Sequence, residues 1–225
     1  MSAEGYAARL AGVRVFKGLS ERELKEALAY IRVREAAFEK DAALAEAGGV
    51  LHEFFCMEHG RVQGVRYHRT GACDLVQLFV PGEIIGLDIT SSATRKCPYS
   101  LVALEDVKGL FVEYDSLSEK KLPPAVARKL ADGVILSLAT DSLRRLHKID
   151  VLYRRHLRSR IIVYLRHLAA MRGARAFKLD MDREQLAQYL GVNRSALSHE
   201  LAKMRAEGLI DFRKNRFEIL SDEEL

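Results

Sequence analysis

The sequence predicts an α+β chain: an antiparallel β jelly roll (a double-stranded β-helix), a long dimerisation helix and a C-terminal winged helix-turn-helix. Three observations carry that expectation. Short runs rich in Val, Phe and Tyr recur between residues 31 and 112, and an apolar stripe at helical spacing follows Pro123-Pro124. Near the C-terminal end, two helical patterns flank Gly191.

The strand candidates are 31–38, 51–57, 62–67, Asp74–Val80, Tyr99–Leu104 and Gly109–Val112. Turns containing Gly48-Gly49, Gly60 and Gly71 separate the first of them. Many short strands at even spacing suit a sandwich or jelly roll, here one β-domain over roughly residues 15–117. A short helix precedes it, where Ser20 is placed to cap and Glu23 to complete a capping box.

After the proline pair, Leu130, Val134, Leu138, Ser142, Leu146 and Ile149 fall on one stripe of a long helix. Part of that stripe is expected to pack on the β-domain. At 1.5 Å per residue the helix outruns a domain of that size, and a symmetric partner helix would cover the remainder. A second helix is expected from about Tyr153 to Met171, with a hinge near Ile149–Leu152. The expected division is 1–122 for the β-domain, 123–152 for the dimerisation helix and hinge, and 153–225 for the C-terminal domain.

In the segment from Asp182 to Leu201, Asp182 and Gln185 suit a capping box, and Leu186 and Leu190 lie one turn apart on a buried face. Ala187 is small where two helices must approach, and Gly191 permits the left-handed backbone that ends the first helix. Val192 fills the space between the helices, Asn193 caps the second, and Leu197 and Leu201 hold it down. Arg194, Ser195, Ser198 and His199 are left on the outward N-terminal face, which a recognition helix places in the major groove. Lys203 lies further along the same helix. Two short strands, Leu209–Phe212 and Arg216–Leu220, would form a wing around Lys214-Asn215, with Arg213, Lys214 and Arg216 available to phosphates.

Bulk properties agree with a DNA partner and argue against other classes. The formal charge is +5, yet the first 150 residues hold 21 acidic and 21 basic side chains, so the whole excess lies in the last third. No apolar run approaches the ~20 residues needed to cross a bilayer, and the N-terminus lacks the pattern of a signal peptide, so a cytoplasmic protein is expected. Cys56, Cys73 and Cys97 are odd in number and widely spaced, which suits neither a disulfide framework nor a metal site.

These features resemble the Crp/Fnr family of transcription regulators. The marks are Pro81-Gly82-Glu83-Ile84-Ile85-Gly86, Val102-Ala103-Leu104-Glu105-Asp106 and the helix-turn-helix, and the resemblance spans nearly the whole chain. It implies a cyclic-nucleotide-binding-like sensor domain, a dimerising central helix and a winged helix. The expected partners are double-stranded DNA with a palindromic operator, a second copy of the chain and RNA polymerase, with no membrane. An effector would lie near Gly86, Leu87, Asp88, Cys97, Pro98 and Tyr99.

The resemblance also implies what is missing. Cyclic-AMP-binding members carry a Glu for the ribose shortly after the Pro-Gly-Glu glycine, where this chain has Leu87 and then Asp88. They carry an Arg-containing pair for the cyclic phosphate, where this chain has Cys97-Pro98 with Arg95 and Lys96 nearby. A buried phosphate without an aligned guanidinium would be poorly compensated, so cyclic AMP is not the expected effector and no cofactor is expected. No cysteine before Cys56 suits an N-terminal iron–sulfur cluster. Three alternatives stand beside a regulator with an unidentified effector. One is an effector-independent regulator with a self-filled pocket. Another is a haem- or redox-responsive one using His52, His59, His68 or Cys97. The third is a cupin-like metalloenzyme, for which those histidines are too widely spaced.

Overall fold

The computed structural model describes residues 3–68 and 73–221. They form two compact units, one ending at Ser142 and one beginning at Leu143, and each is described by itself. No helix among the described residues is long and apolar enough to cross a membrane.

The first unit opens with helices α1 (Ala3–Leu10) and α2 (Glu21–Ala27). The capping box at the start of α2 is complete, with Ser20 accepting from the Glu23 backbone and Glu23 accepting from Ser20. Eight strands follow: β1 (Val33–Phe38), β2 (Ala43–Ala45), β3 (Glu53–His59), β4 (Val62–Tyr67), β5 (Cys73–Phe79), β6 (Ile84–Ile85), β7 (Ser100–Ala103) and β8 (Val107–Glu113). They make two antiparallel four-stranded sheets, ordered β1-β8-β3-β6 and β2-β7-β4-β5. This is the jelly roll that the spacing of short strands predicts. The turn expected at Gly71 lies outside the described residues.

Alternation along β3 divides two cores. Phe55 and Met57 face the space between the sheets, with Val62, Phe79, Tyr99, Leu101 and Val107. Phe54 and Cys56 face the other way, onto a core built with Leu10, Phe16, Leu24, Leu110 and Leu130. Burial on both faces explains why this strand reads as the continuous run Phe54-Phe55-Cys56-Met57 instead of alternating with polar residues. At Gly133 a Cβ would meet the Val15 carbonyl oxygen at 2.1 Å, so only glycine lets the long helix lie this close to the chain at Val15.

That helix, α4 (Pro124–Tyr153), is unbroken for 30 residues. Its first turns belong to the β-domain's core, with Val126 and Leu130 buried and Val134 nearly so. The break expected at Ile149–Leu152 falls a few residues later. Nothing in those residues breaks a helix, Val151 is buried, and the chain leaves helical geometry only at Arg154–His156.

The second unit contains the last turns of α4, then α5 (Leu157–Arg172), α6 (Arg183–Tyr189) and α7 (Arg194–Ala206). It also holds a small antiparallel sheet ordered β10-β11-β9, from β9 (Ala176–Lys178), β10 (Ile210–Arg213) and β11 (Arg216–Ile219). Gly173 ends α5 in the left-handed region at φ 61°.

Candidate nucleic-acid interface

The recognition face rests on a scaffold built from short-range signals. Asp182 accepts from the Gln185 backbone at 2.8 Å, and Gln185 Oε1 accepts from the Asp182 backbone at 3.0 Å, which fixes the start of α6. Gly191 turns the chain at φ 69°, and Asn193 caps α7 by accepting from the Ala196 backbone at 2.7 Å. Ala187, Leu190, Leu197, Leu201 and Met204 are wholly buried, so α6 and α7 share one apolar seam. Val192, half-buried, closes the turn between them.

With that seam facing inward, Arg194, Ser195, Ser198, His199 and Lys203 are all exposed. The first four occupy the opening two turns of α7. Ser195 Oγ donates to Asn193 Oδ1 at 2.7 Å, and Ser198 Oγ donates to the Arg194 carbonyl at 2.8 Å. Each hydroxyl therefore spends its proton on the helix and turns lone pairs outward, a disposition that suits the amino groups of adenine or cytosine. Arg194 supplies the complementary donors, fitted to guanine or phosphate.

The wing is the hairpin β10–β11, closed by the Arg213↔Arg216 pair around Lys214-Asn215, with Lys214 at φ 55°. Arg213 and Lys214 are exposed. Asn215 ties the tip back by exchanging bonds with Leu179, donating through Nδ2 at 2.9 Å and accepting from the Leu179 backbone at 2.8 Å.

Three arginines that sequence reasoning missed hold this surface together. Arg183, on α6, lies 4.9 Å from the Phe212 ring centroid and 5.1 Å from that of Phe217, and donates to the Lys214 carbonyl at 2.8 Å. Burial, aided by nearby Arg194, pushes its pKa down. It joins the first helix of the motif to the wing. Arg158, on α5, bonds Glu200 at 2.7 Å and Glu207 at 2.6 and 2.9 Å, gripping α7 at two points. Arg160 donates to the Leu190 carbonyl at 3.0 Å and so satisfies the end of α6. No local pattern announces these roles, because each depends on a partner 29 to 49 residues away.

The six residues named for an effector divide between two cores and the surface, with Asp88 near enough to Cys97 for its charge to act on the thiol. Gly86, at φ 82°, starts the short helix α3 (Leu87–Thr90), whose Leu87 is buried in the helix-side core. Cys97 and Tyr99 belong to the other core, between the sheets. Pro98 is exposed and Asp88 is half-buried. The Tyr99 ring lies over Gly64, where a Cβ would come within 2.8 Å of it. Cys97 donates its thiol proton to the Tyr99 carbonyl at 2.9 Å, and burial pushes the thiol pKa up. The cation expected beside it is engaged elsewhere, since Arg95 makes a bidentate pair with Asp115 at 2.6 and 2.8 Å. These surroundings disfavour the thiolate on which a redox switch depends. His52, His59 and His68 bond to Arg95, to the Asp106 carbonyl and to Asp74 respectively. Among the described residues no group of three potential ligands forms a metal site.

A buried two-helix scaffold with an open polar face and a cationic wing, preceded by a jelly roll and a long helix, defines a sequence-specific DNA-binding transcription regulator. Comparison with known proteins gives relatives of the same class. Residues 159–225 match the Crp-like helix-turn-helix domain. The chain is 24% identical over 199 residues to the anaerobic regulatory protein of Haemophilus influenzae, covering 85% of this chain and 74% of that one. It is 22% identical over 214 residues to the fumarate and nitrate reduction regulatory protein of Vibrio cholerae, covering 92% and 82%. Among solved structures, the c-di-GMP responsive global regulator CLP of Xanthomonas campestris shares the fold with a TM-score of 0.68 at 18% identity, covering 90% of this chain and 100% of that one. FixK2 of Bradyrhizobium japonicum gives 0.64 at 18% identity, covering 84% and 93%. The chain thus carries a Crp-like helix-turn-helix domain and is similar over most of its length to Fnr-type transcription regulators.

Proposed function

We propose that this regulator works in the cytoplasm as a homodimer that reads a palindromic operator, each copy placing α7 in the major groove of one half-site. The observation that carries the reading is the exposed set Arg194, Ser195, Ser198 and His199 above the wholly buried Leu197 and Leu201. Base edges fall to those four residues, and phosphates to Lys203, Arg213 and Lys214. Pairing of copies is supported by α4, where Ile135, Leu136, Leu143, Leu146, Ile149 and Tyr153 are each more than half exposed and recur at helical spacing on one face. A second α4 would cover that face, and two recognition helices about 34 Å apart would meet successive turns of DNA.

The signal is an effector other than cyclic AMP, sensed by the jelly roll and transmitted to the recognition helices, with RNA polymerase as the downstream partner. What supports the exclusion is that Tyr99 and Cys97 pack into the inter-sheet core while Leu87 turns to the other one. Selection of duplexes from a random pool tests the reading. A recovered palindrome bound by a sedimenting dimer supports it, whereas a non-palindromic site bound by a monomer overturns the dimeric reading. Micromolar binding of cyclic AMP in a calorimeter would overturn the exclusion.

A further inference from the structure

The register of the small sheet in the C-terminal unit sets three cations in one line. Arg213 lies opposite Arg216 across β10 and β11, and Arg216 lies opposite Lys178 across β11 and β9. Residues directly opposite in an antiparallel pair project from the same face, so the three side chains stand side by side. All three are exposed and border one shallow depression of about 420 Å³ with Asp211 and Glu218.

Like charges directly opposite destabilise a sheet, and this row does so twice in three strands. The neighbouring cations are handled differently. Arg172 pairs with Asp180, Arg205 with Asp211 and Arg158 with Glu200 and Glu207. No ion pair involves Lys178, Arg213 or Arg216 among the described residues. The next row of the same face is acidic, with Asp211 opposite Glu218. The face is therefore divided, positive along the edge at the Lys214-Asn215 turn and acidic at Glu218 behind it, where Asp211 is held by Arg205.

We infer that the Lys178–Arg216–Arg213 row is a phosphate track, a second DNA-contacting surface that follows the backbone beside the groove entered by α7. This rests on the DNA-reading function above and extends its footprint from the hairpin tip to β9. Glu218 marks the limit of the track, since a phosphate moved past the cations would meet its carboxylate, while Asp211 beside it is paired with Arg205. Such contacts add affinity without base preference, and each releases counterions.

The test uses the full-length dimer, a selected operator duplex and an unrelated duplex, with affinity measured across a salt series. Lys178→Gln and Arg216→Gln each remove one phosphate contact per copy, so each should reduce the dimer's log–log salt slope by about 1.8, weaken both duplexes by the same factor and leave the preferred sequence unchanged. Their thermal midpoints should equal or exceed that of the unchanged chain, because a like-charge neighbour has been removed. Lys178→Arg should keep the slope. An unaltered slope and affinity in Lys178→Gln would overturn the inference. So would intact DNA binding combined with lost transcription in a reconstituted polymerase assay, which would assign the face to a protein partner. If the unchanged chain bound neither duplex, the DNA-reading function would fail instead, and the two failures are distinct.

Discussion

In the C-terminal unit Leu197 and Leu201 are wholly buried while Arg194, Ser195, Ser198 and His199 on the same helix are open. In the N-terminal unit the chemically suggestive residues Leu87, Cys97 and Tyr99 are themselves the packing. The difference follows from geometry. A two-helix motif buries one stripe of each helix and leaves the other stripe free. A jelly roll sheathed by helices buries both faces of its inner strands. Binding chemistry is thus separable from folding in the first case, and a candidate pocket residue is inseparable from it in the second.

The largest expected effect comes from breaking that distinction at Leu87. Leu87→Ala should cost about 2–5 kcal/mol, as emptying a packed apolar site does, and should be read as a lowered thermal midpoint of the N-terminal unit. If Leu87 instead lined an open ligand site, the variant would keep its stability. Arg194→Ala sharpens the other side of the comparison. An exposed side chain held by no packing should leave the thermal midpoint in place while operator binding weakens by about 1–3 kcal/mol with relaxed preference at one base pair. Loss of stability in parallel with binding would show that the recognition face and its scaffold are not independent.

Legibility in the sequence followed the same division. The capping boxes at Ser20/Glu23 and Asp182/Gln185, the turn at Gly191 and the Asn193 cap are local arrangements, and each was readable from spacing within four residues. The strands with mixed burial were readable for the same reason. β2, β6 and β9 were not, since two or three residues carry no periodicity and exist as strands only through pairing with β7, β3 and β11. That is why Lys178 was missed beside Arg213 and Arg216. The effector residues follow from the family resemblance, which fixes positions in the chain and not side-chain direction. Side-chain direction decides burial, and it sends Leu87 to one core and Tyr99 to the other. On α4 the stripe and, from its length, its two fates were legible, but the point of division was not, because nothing local distinguishes Leu130, covered by the chain's own core, from Leu146, left open.

The smallest effect concerns pH and tests whether a capping residue in the N-terminal unit also works at long range. Glu23 completes the α2 capping box and pairs with Lys129 of α4 at 2.7 and 2.8 Å. The bond from Lys129, then those from Ser20, hold its pKa at about 2, below the ordinary value of 4.5. A carboxyl with a depressed folded pKa binds its proton more readily when unfolded. Its stabilisation is therefore complete above about 4.5 and is lost as pH falls towards 2. Glu23→Gln keeps a residue competent for the capping box but removes the charge facing Lys129. Midpoints of the two proteins should differ at pH 7 and converge as pH is lowered through that window. A constant difference at every pH would mean that the cap, not the ion pair with α4, accounts for what Glu23 contributes.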